Sequence, residues 1–335
     1  MAGSSTTSVI AGISANFLVS IAKFIGFGVS GSGAMLSEAI HSVADTTNQA
    51  LLLLGLKRSE RGPDLMHPEG YGRDRFFWGL VSALGIFFLG AGVTLWHGIH
   101  ALMHPEPSTH GWVTWAVLIF ATVLEGGALA VATRGLFKDA KAAGVSPKQY
   151  VKEGRDPTLI AILAEDAAAV LGLLFAIAGI ALETATGNPL WDASATLSIG
   201  VLLALVAIYL IRVNRTFLLS RKIDTEVEEK IRAVFDAHPL VSKVESMRGI
   251  VLTMGQYRVA ADVDFDGAEL ARRVLSDKDL AKLRAELHSE EALGRYLETF
   301  AEELLQSLAL ELTELEGDLR AAVPGITQLD VETEG

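Results

Sequence analysis

Residues 33–56 read Gly-Ala-Met-Leu-Ser-Glu-Ala-Ile-His-Ser-Val-Ala-Asp-Thr-Thr-Asn-Gln-Ala-Leu-Leu-Leu-Leu-Gly-Leu. A run of this length can cross the hydrocarbon core of a bilayer, which takes about 20 helical residues. Glu38, His41 and Asp45 interrupt it. Ionisable groups at that depth are costly and belong in a bundle interior, where they mark a functional path. Five more apolar runs flank this one, at roughly 8–29, 76–103, 112–134, 158–183 and 191–212. The expected fold is therefore an α-helical membrane bundle of six transmembrane helices. The first run is not a cleaved signal peptide, because it lacks a basic leader and Lys23 sits inside it.

The connections alternate in charge. The one after the second run holds Lys57, Arg58, Arg61, Arg73 and Arg75, and the one after the fourth holds Arg134, Lys138, Lys141, Lys148, Lys152 and Arg155. Arg212, Arg215, Arg221 and Lys222 follow the sixth, whereas loops 29–34, 104–110 and 184–190 contain neither Lys nor Arg. The positive-inside bias places both termini in the cytosol. No targeting segment is visible, so the expected location is a bacterial inner membrane.

The 335 residues carry a formal charge of −12, no Cys, and a mean hydropathy of +0.37. Residues 1–222 hold 16 basic and 15 acidic side chains, and 223–335 hold 12 and 25, so +1 and −13 make up the total. A single soluble globule, a disulfide scaffold, a Cys-based metal site and a basic nucleic-acid binder are all excluded. The pattern predicts a transmembrane domain over 1–215 and a cytoplasmic domain over 216–335.

His41 and Asp45 stand four apart and share one helical face, with Glu38 three residues before His41 on the same side. The fifth run contains the adjacent carboxylates Glu165 and Asp166, about 100° apart on a helix. An imidazole with carboxylates and no thiolate suits zinc, and mixed nitrogen and oxygen ligands also admit manganese, iron(II) and cobalt. An interhelical hydrogen-bond lock is the competing reading of each group. Glu125, before Gly126-Gly127 in the fourth run, reads as a proton site or as the partner of a buried base; Glu38 is a further proton or accessory candidate. Lys23 reads as a pairing or snorkelling cation. The glycines at 90, 92, 126 and 127 are expected at close helix contacts.

These residues carry a resemblance. The Glu-x-x-His-Ser-x-x-Asp of 38–45 and the following His67-Pro68-Glu69-Gly70-Tyr71-Gly72-Arg73 resemble the cation diffusion facilitator family, the solute carrier 30 type of zinc transporter. Glu165-Asp166-Ala-Ala-Ala-Val-Leu-Gly and the 261–267 segment resemble its mitochondrial zinc-exporter branch and the bacterial relatives. The resemblance implies a metal site formed by two residues four apart on each of the second and fifth helices. These fall on His41 and Asp45, then on Glu165 and Ala169. Ala169 cannot ligate, so Asp166, water or another group completes the shell, or the protein supplies three ligands. His at the first position implies zinc over cadmium. A loop metal site in some members falls on Asp64 and His67, with Tyr71 at the third position.

The tail reads as helix, strand, strand, long helical region over 268–323, strand, the order of a ferredoxin-like α/β domain. A break in the helical region is expected near Ser276 or Ser289. The resemblance makes this the dimerisation domain, hence a homodimer. The expected function is proton-coupled efflux of a divalent cation, most simply Zn2+, by alternating access. Metal and protons are the partners, with the lipid bilayer around them. The metal is substrate rather than resident cofactor, nucleic acid is not a partner, and no enzymatic constellation appears. A divalent channel is the rival reading.

Overall fold

Turn chemistry sets the first two helices. In the computed structural model, which describes residues 2–105, 111–153, 156–276 and 278–333, α1 (Ala2–Ser30) stops at Gly31. Gly31 has φ +68°, and its N–H donates to Phe27 O at 2.7 Å. That left-handed backbone favours glycine. Ser32 then N-caps α2 (Gly33–Ser59), its Oγ accepting from the Met35 amide at 3.2 Å. The chain continues through α3 (Asp74–Gly85), a π-helical segment (Ile86–Gly92) and α4 (Val93–Met103), which form one continuous rod. Then come α5 (Trp112–Ala142), the short α6 (Pro147–Glu153), α7 (Pro157–Thr186) and α8 (Leu190–Leu218). Arg155 and loop residues 106–110, both used in the charge argument, lie outside the described residues.

Six long rods thus stand among the described residues up to Leu218. At about 1.5 Å per residue, a 30-residue helix runs roughly 45 Å, more than a bilayer core. Four of the rods are long and apolar enough to cross a membrane: Asp74–Met103, Trp112–Ala142, Thr158–Thr186 and Leu190–Leu218. The described apolar part of α1 is shorter, Asn16–Ser30. α2 falls short because Glu38, His41, Asp45 and Asn48 dilute it.

The bundle is apolar outside and polar within. Phe17, Leu18, Phe88, Leu89, Trp96 and Val123 are exposed, whereas Lys23, Glu38, His41, Asn48, Glu165 and Asn214 are buried. Lipid tolerates such an outer surface, and the interior supplies partners for polar groups that hydrocarbon does not. Around the polar groups pack Met35, Leu118, Leu173, Ile180, Ile199 and Leu203. Close helix contacts use glycines, but only partly the expected ones. Gly126 and Gly127 face open space, and no side chain lies nearer than 3.7 Å to a Cβ built at Gly90. Tight positions include Gly55 against Trp78, Gly79 against Asn214, Gly98 and Gly200 on the α4–α8 contact, and Gly172 and Gly179 on α7.

The structure divides into two units, Met1–Leu219 and Ser220–Gly335. The second begins with α9 (Thr225–Ala237), then β1 (Val241–Thr253) and β2 (Gln256–Phe265). Gly255, at φ +73°, permits their tight turn. The helical region breaks after Ser276 and again at Ser289, the two places expected, giving α10 (Gly267–Ser276), α11 (Leu280–Glu286) and α12 (Glu290–Ala322). Both breaks are capped, by Asp279 on the Ala281 and Lys282 amides and by Ser289 on the Ala292 amide. β3 (Ile326–Thr333) completes a three-stranded sheet of order β1-β2-β3, antiparallel then parallel. Ile231, Phe235, Val259, Val263, Leu315 and Leu319 form its core.

Candidate metal centre

α2 is the organising element, and α8 fixes its start. Asp192 accepts from Ser32 Oγ at 2.6 Å, from the Gly33 amide at 2.6 Å and from the Ala34 amide at 3.3–3.4 Å. A carboxylate thus meets first-turn amides that have no partner within their own helix. From that anchor Glu38, His41, Asp45 and Asn48 descend one face of α2, spaced three, four and three residues apart.

The structure brings part of the expected metal set together. His41 Nε2 lies 3.6 Å from Asp45 Oδ2. Across on α7, the buried Glu165 accepts a hydrogen bond from Asn48 Nδ2. That bond ties Glu165 to the helix carrying His41 and Asp45. Both ring nitrogens of His41, Oδ1 of Asp45 and Oε1 of Glu165 are buried without a hydrogen-bond partner among the described groups. A buried polar atom without a partner is expensive. Four such atoms on two facing helices have the donor chemistry of a site for a divalent cation. Asp166 is half-buried beside Glu165, within electrostatic reach of Asp45. Ala169 is buried and carries no ligand. No three His, Asp or Glu side chains among the described residues stand close enough together to hold an ion in this conformation. Closing a shell requires α2 and α7 side chains to move.

Glu38 and Glu125 do not point at that pair. Both meet the ammonium of Lys23, at 3.0 Å and 2.5 Å. Lys23 and Glu38 are fully enclosed and Glu125 is 12% exposed, so three helices share one buried ionic cluster. The carboxyl groups of Glu38, Asp45, Glu125, Glu165 and Asp166 thus outnumber the Lys23 ammonium in this part of the bundle interior. Such an interior attracts cations.

The loop pair Asp64 and His67 is exposed and differently employed. One Asp64 oxygen accepts from the Met66 and His67 amides at 2.9 and 2.7 Å, and the other accepts from the Tyr71 hydroxyl at 2.7 Å. His67 Nδ1 lies 3.4 Å from Asp64, and its ring packs on Tyr71 with centroids 4.2 Å apart. The Tyr71 hydroxyl, helped by the two amides, holds the Asp64 carboxyl below the usual carboxylate range. Burden on this carboxylate comes from the turn itself, and Tyr71 stands where a third ligand would.

Three contributors escaped the sequence reading. Asn48 was visible only as a polar residue one turn below Asp45. Asp192 was hidden at the start of an apolar run. Arg75 donates to Thr158 Oγ1 at 2.9 and 2.7 Å and lies 3.6 Å from Asp156. With Asn48, Glu165 and Asn214, Arg75 and Thr158 line a cavity of about 10 Å³ beside the centre. That volume is about one water molecule's worth.

Residues 9–219 match the cation efflux transmembrane domain family. The chain is 36% identical over 327 residues to the mitochondrial proton-coupled zinc antiporter SLC30A9 of Homo sapiens, covering 97% of this chain and 58% of that protein. It is 35% identical over 323 residues to metal tolerance protein C4 of Arabidopsis thaliana, covering 95% and 71%. It is 24% identical over 271 residues to magnetosome protein MamB of Magnetospira sp., covering 81% and 82%. The chain therefore spans a little over half the length of the human relative.

Proposed function

Since the chain belongs to the cation efflux family, the cation diffusion facilitators, and is a membrane transporter rather than an enzyme, we propose that it exports a divalent cation, zinc, in exchange for protons. The observation carrying this reading is the set of unpartnered ligand atoms on His41, Asp45 and Glu165 inside the bundle. Zinc takes mixed imidazole and carboxylate ligands readily. The same set admits Fe2+, Mn2+ and Co2+ as substrates. The proton-coupled zinc antiport named for the human relative supports zinc and protons.

In this reading all six rods span the membrane, α2 being tolerated by lipid because its polar face turns inward. Both termini lie in the cytosol, as the basic connections require, and the membrane is a bacterial inner membrane. Metal comes from the cytosolic side past the small cavity at Arg75, Thr158 and Asn214. His41, Asp45 and Glu165 receive it, with Asp166 or water completing the shell in place of Ala169. Ligation needs a neutral imidazole and ionised carboxylates, so metal binding releases protons. Opening to the far side lets protons reload the groups and discharge the metal. Residues 220–335 act as a ferredoxin-like dimerisation domain, and the transporter is a homodimer.

The test is metal and proton flux in proteoliposomes. His41→Ala and Asp45→Ala must each abolish zinc uptake against a proton gradient. Uptake at the wild-type rate in both would refute the site. Flux indifferent to the proton gradient would indicate a channel.

A further inference from the structure

We propose that Lys23 is a tethered cation occupying the place of a second divalent ion, and that it thereby limits the bundle to a single metal site. The ammonium is completely enclosed. It is approached by Glu38 from α2 at 3.0 Å and by Glu125 from α5 at 2.5 Å. Each carboxylate spends one oxygen on Lys23. The other oxygens, Glu38 Oε1 and Glu125 Oε2, are buried and have no hydrogen-bond partner among the described residues.

The α7 side of the cluster explains the first of these. A Cβ at Gly172 would collide with Glu38 Oε1. Glycine therefore gives the oxygen room, while the α7 backbone there, bonded within its own helix, offers it no donor. Two buried carboxylates with oxygens to spare around one cation have the donor chemistry of an oxygen-ligated divalent site. Here a compact, strongly hydrated point charge on a flexible stem takes the ion's position. Glu38 is three residues from His41 on the same helix face. Without Lys23, five carboxyl groups and an imidazole would share one interior, with Arg75, held by Thr158 and Asp156, as a fixed positive charge at its edge. That interior has the ligands for two ions, and Lys23 withdraws two of the carboxylates from competition.

A merely structural ion pair is the alternative, and it makes a different forecast. Losing one partner of a buried pair lowers stability, but it does not add a bound metal. The experiment counts zinc on the purified full-length chain in nanodiscs, by equilibrium dialysis and elemental analysis. Lys23→Met should bind one zinc more per chain than wild type. Lys23→Arg should bind the wild-type number, and Lys23→Met combined with Glu125→Gln should return to it. An unchanged count in folded Lys23→Met overturns the proposal. If Lys23→Met folds only when zinc is supplied, zinc is replacing the ammonium and the proposal is supported. If it folds under neither condition, Lys23→His decides. Its imidazole can pair both carboxylates when protonated and can ligate when neutral, so one extra zinc is expected and none overturns the idea. The proposal rests on the His41 transport site, and His41→Ala separates the two failures. A wild-type count in His41→Ala faults the transport site, whereas loss of one zinc there with no gain in the Lys23 variants faults Lys23 alone.

Discussion

Removing the Asp192 carboxylate tests whether α8 anchors the helix that carries His41 and Asp45. In Asp192→Ala the Gly33 and Ala34 amides lose their acceptor, and the Ser32 hydroxyl loses its 2.6 Å partner. The two amides belong to the first turn of α2, where no intrahelical carbonyl can take them, and they are buried. An unsatisfied buried donor costs about 1–3 kcal/mol. Two of them, with the hydroxyl free to rotate toward another acceptor, put the loss at about 3–5 kcal/mol. At roughly 2–4 °C per kcal/mol for a unit of this size, the melting temperature should fall by about 10 °C. Asp192→Asn keeps one acceptor oxygen for the Gly33 amide and should lose about half as much. The assay is thermal unfolding of the purified protein in one detergent, followed by the fraction remaining monodisperse. If Asp192→Ala melts within about 2 °C of wild type, the carboxylate is not holding α2 and the anchoring argument fails.

Three further outcomes follow from the geometry. Asn48→Ala removes the donor that orients Glu165, and zinc affinity measured by calorimetry should weaken about 10–100-fold; an unchanged affinity would detach Asn48 from the site. Gly172→Ala drives a methyl into Glu38 Oε1, whereas Gly126→Ala enters open space, so the first should lower the yield of folded protein and the second should not. In the loop, Asp64 is depressed chiefly by the Tyr71 hydroxyl. Its contribution to loop order is complete above the ordinary carboxylate pKa and is lost as pH falls through the lowered folded value. Tyr71→Phe should move the Asp64 titration back up, as read by NMR of its carboxyl carbon, and no movement would remove Tyr71 as the cause.

Much of the bundle was legible because hydrophobic length and loop charge are local properties of the chain. The common face of Glu38, His41 and Asp45 was legible for the same reason, since helical spacing fixes it. Partners across the bundle were not. Periodicity shows which way Lys23 turns but not that it reaches Glu125, 102 residues away. Nor does it show that Asp192 caps a helix beginning 159 residues earlier. Glycine positions illustrate the same limit. Gly126 and Gly127 looked like a contact and have none, while Gly172 is tight because a carboxylate from another helix lies against it. In the tail, the breaks near Ser276 and Ser289 were legible, and the structure has one at each place. Ser289 caps the helix that follows it, whereas the cap at Asp279 was not legible, because a single Asp in a Glu- and Leu-rich run is a weak signal of a helix start.

The central claim is that His41, Asp45 and Glu165 hold the transported ion. X-ray absorption spectroscopy on the zinc-loaded protein tests it most directly, wild type against His41→Ala. The account predicts a zinc with imidazole nitrogen and carboxylate oxygen neighbours and no sulfur from thiolate. His41→Ala should lose the nitrogen signature and most of the bound zinc. A zinc environment identical in wild type and His41→Ala would contradict it.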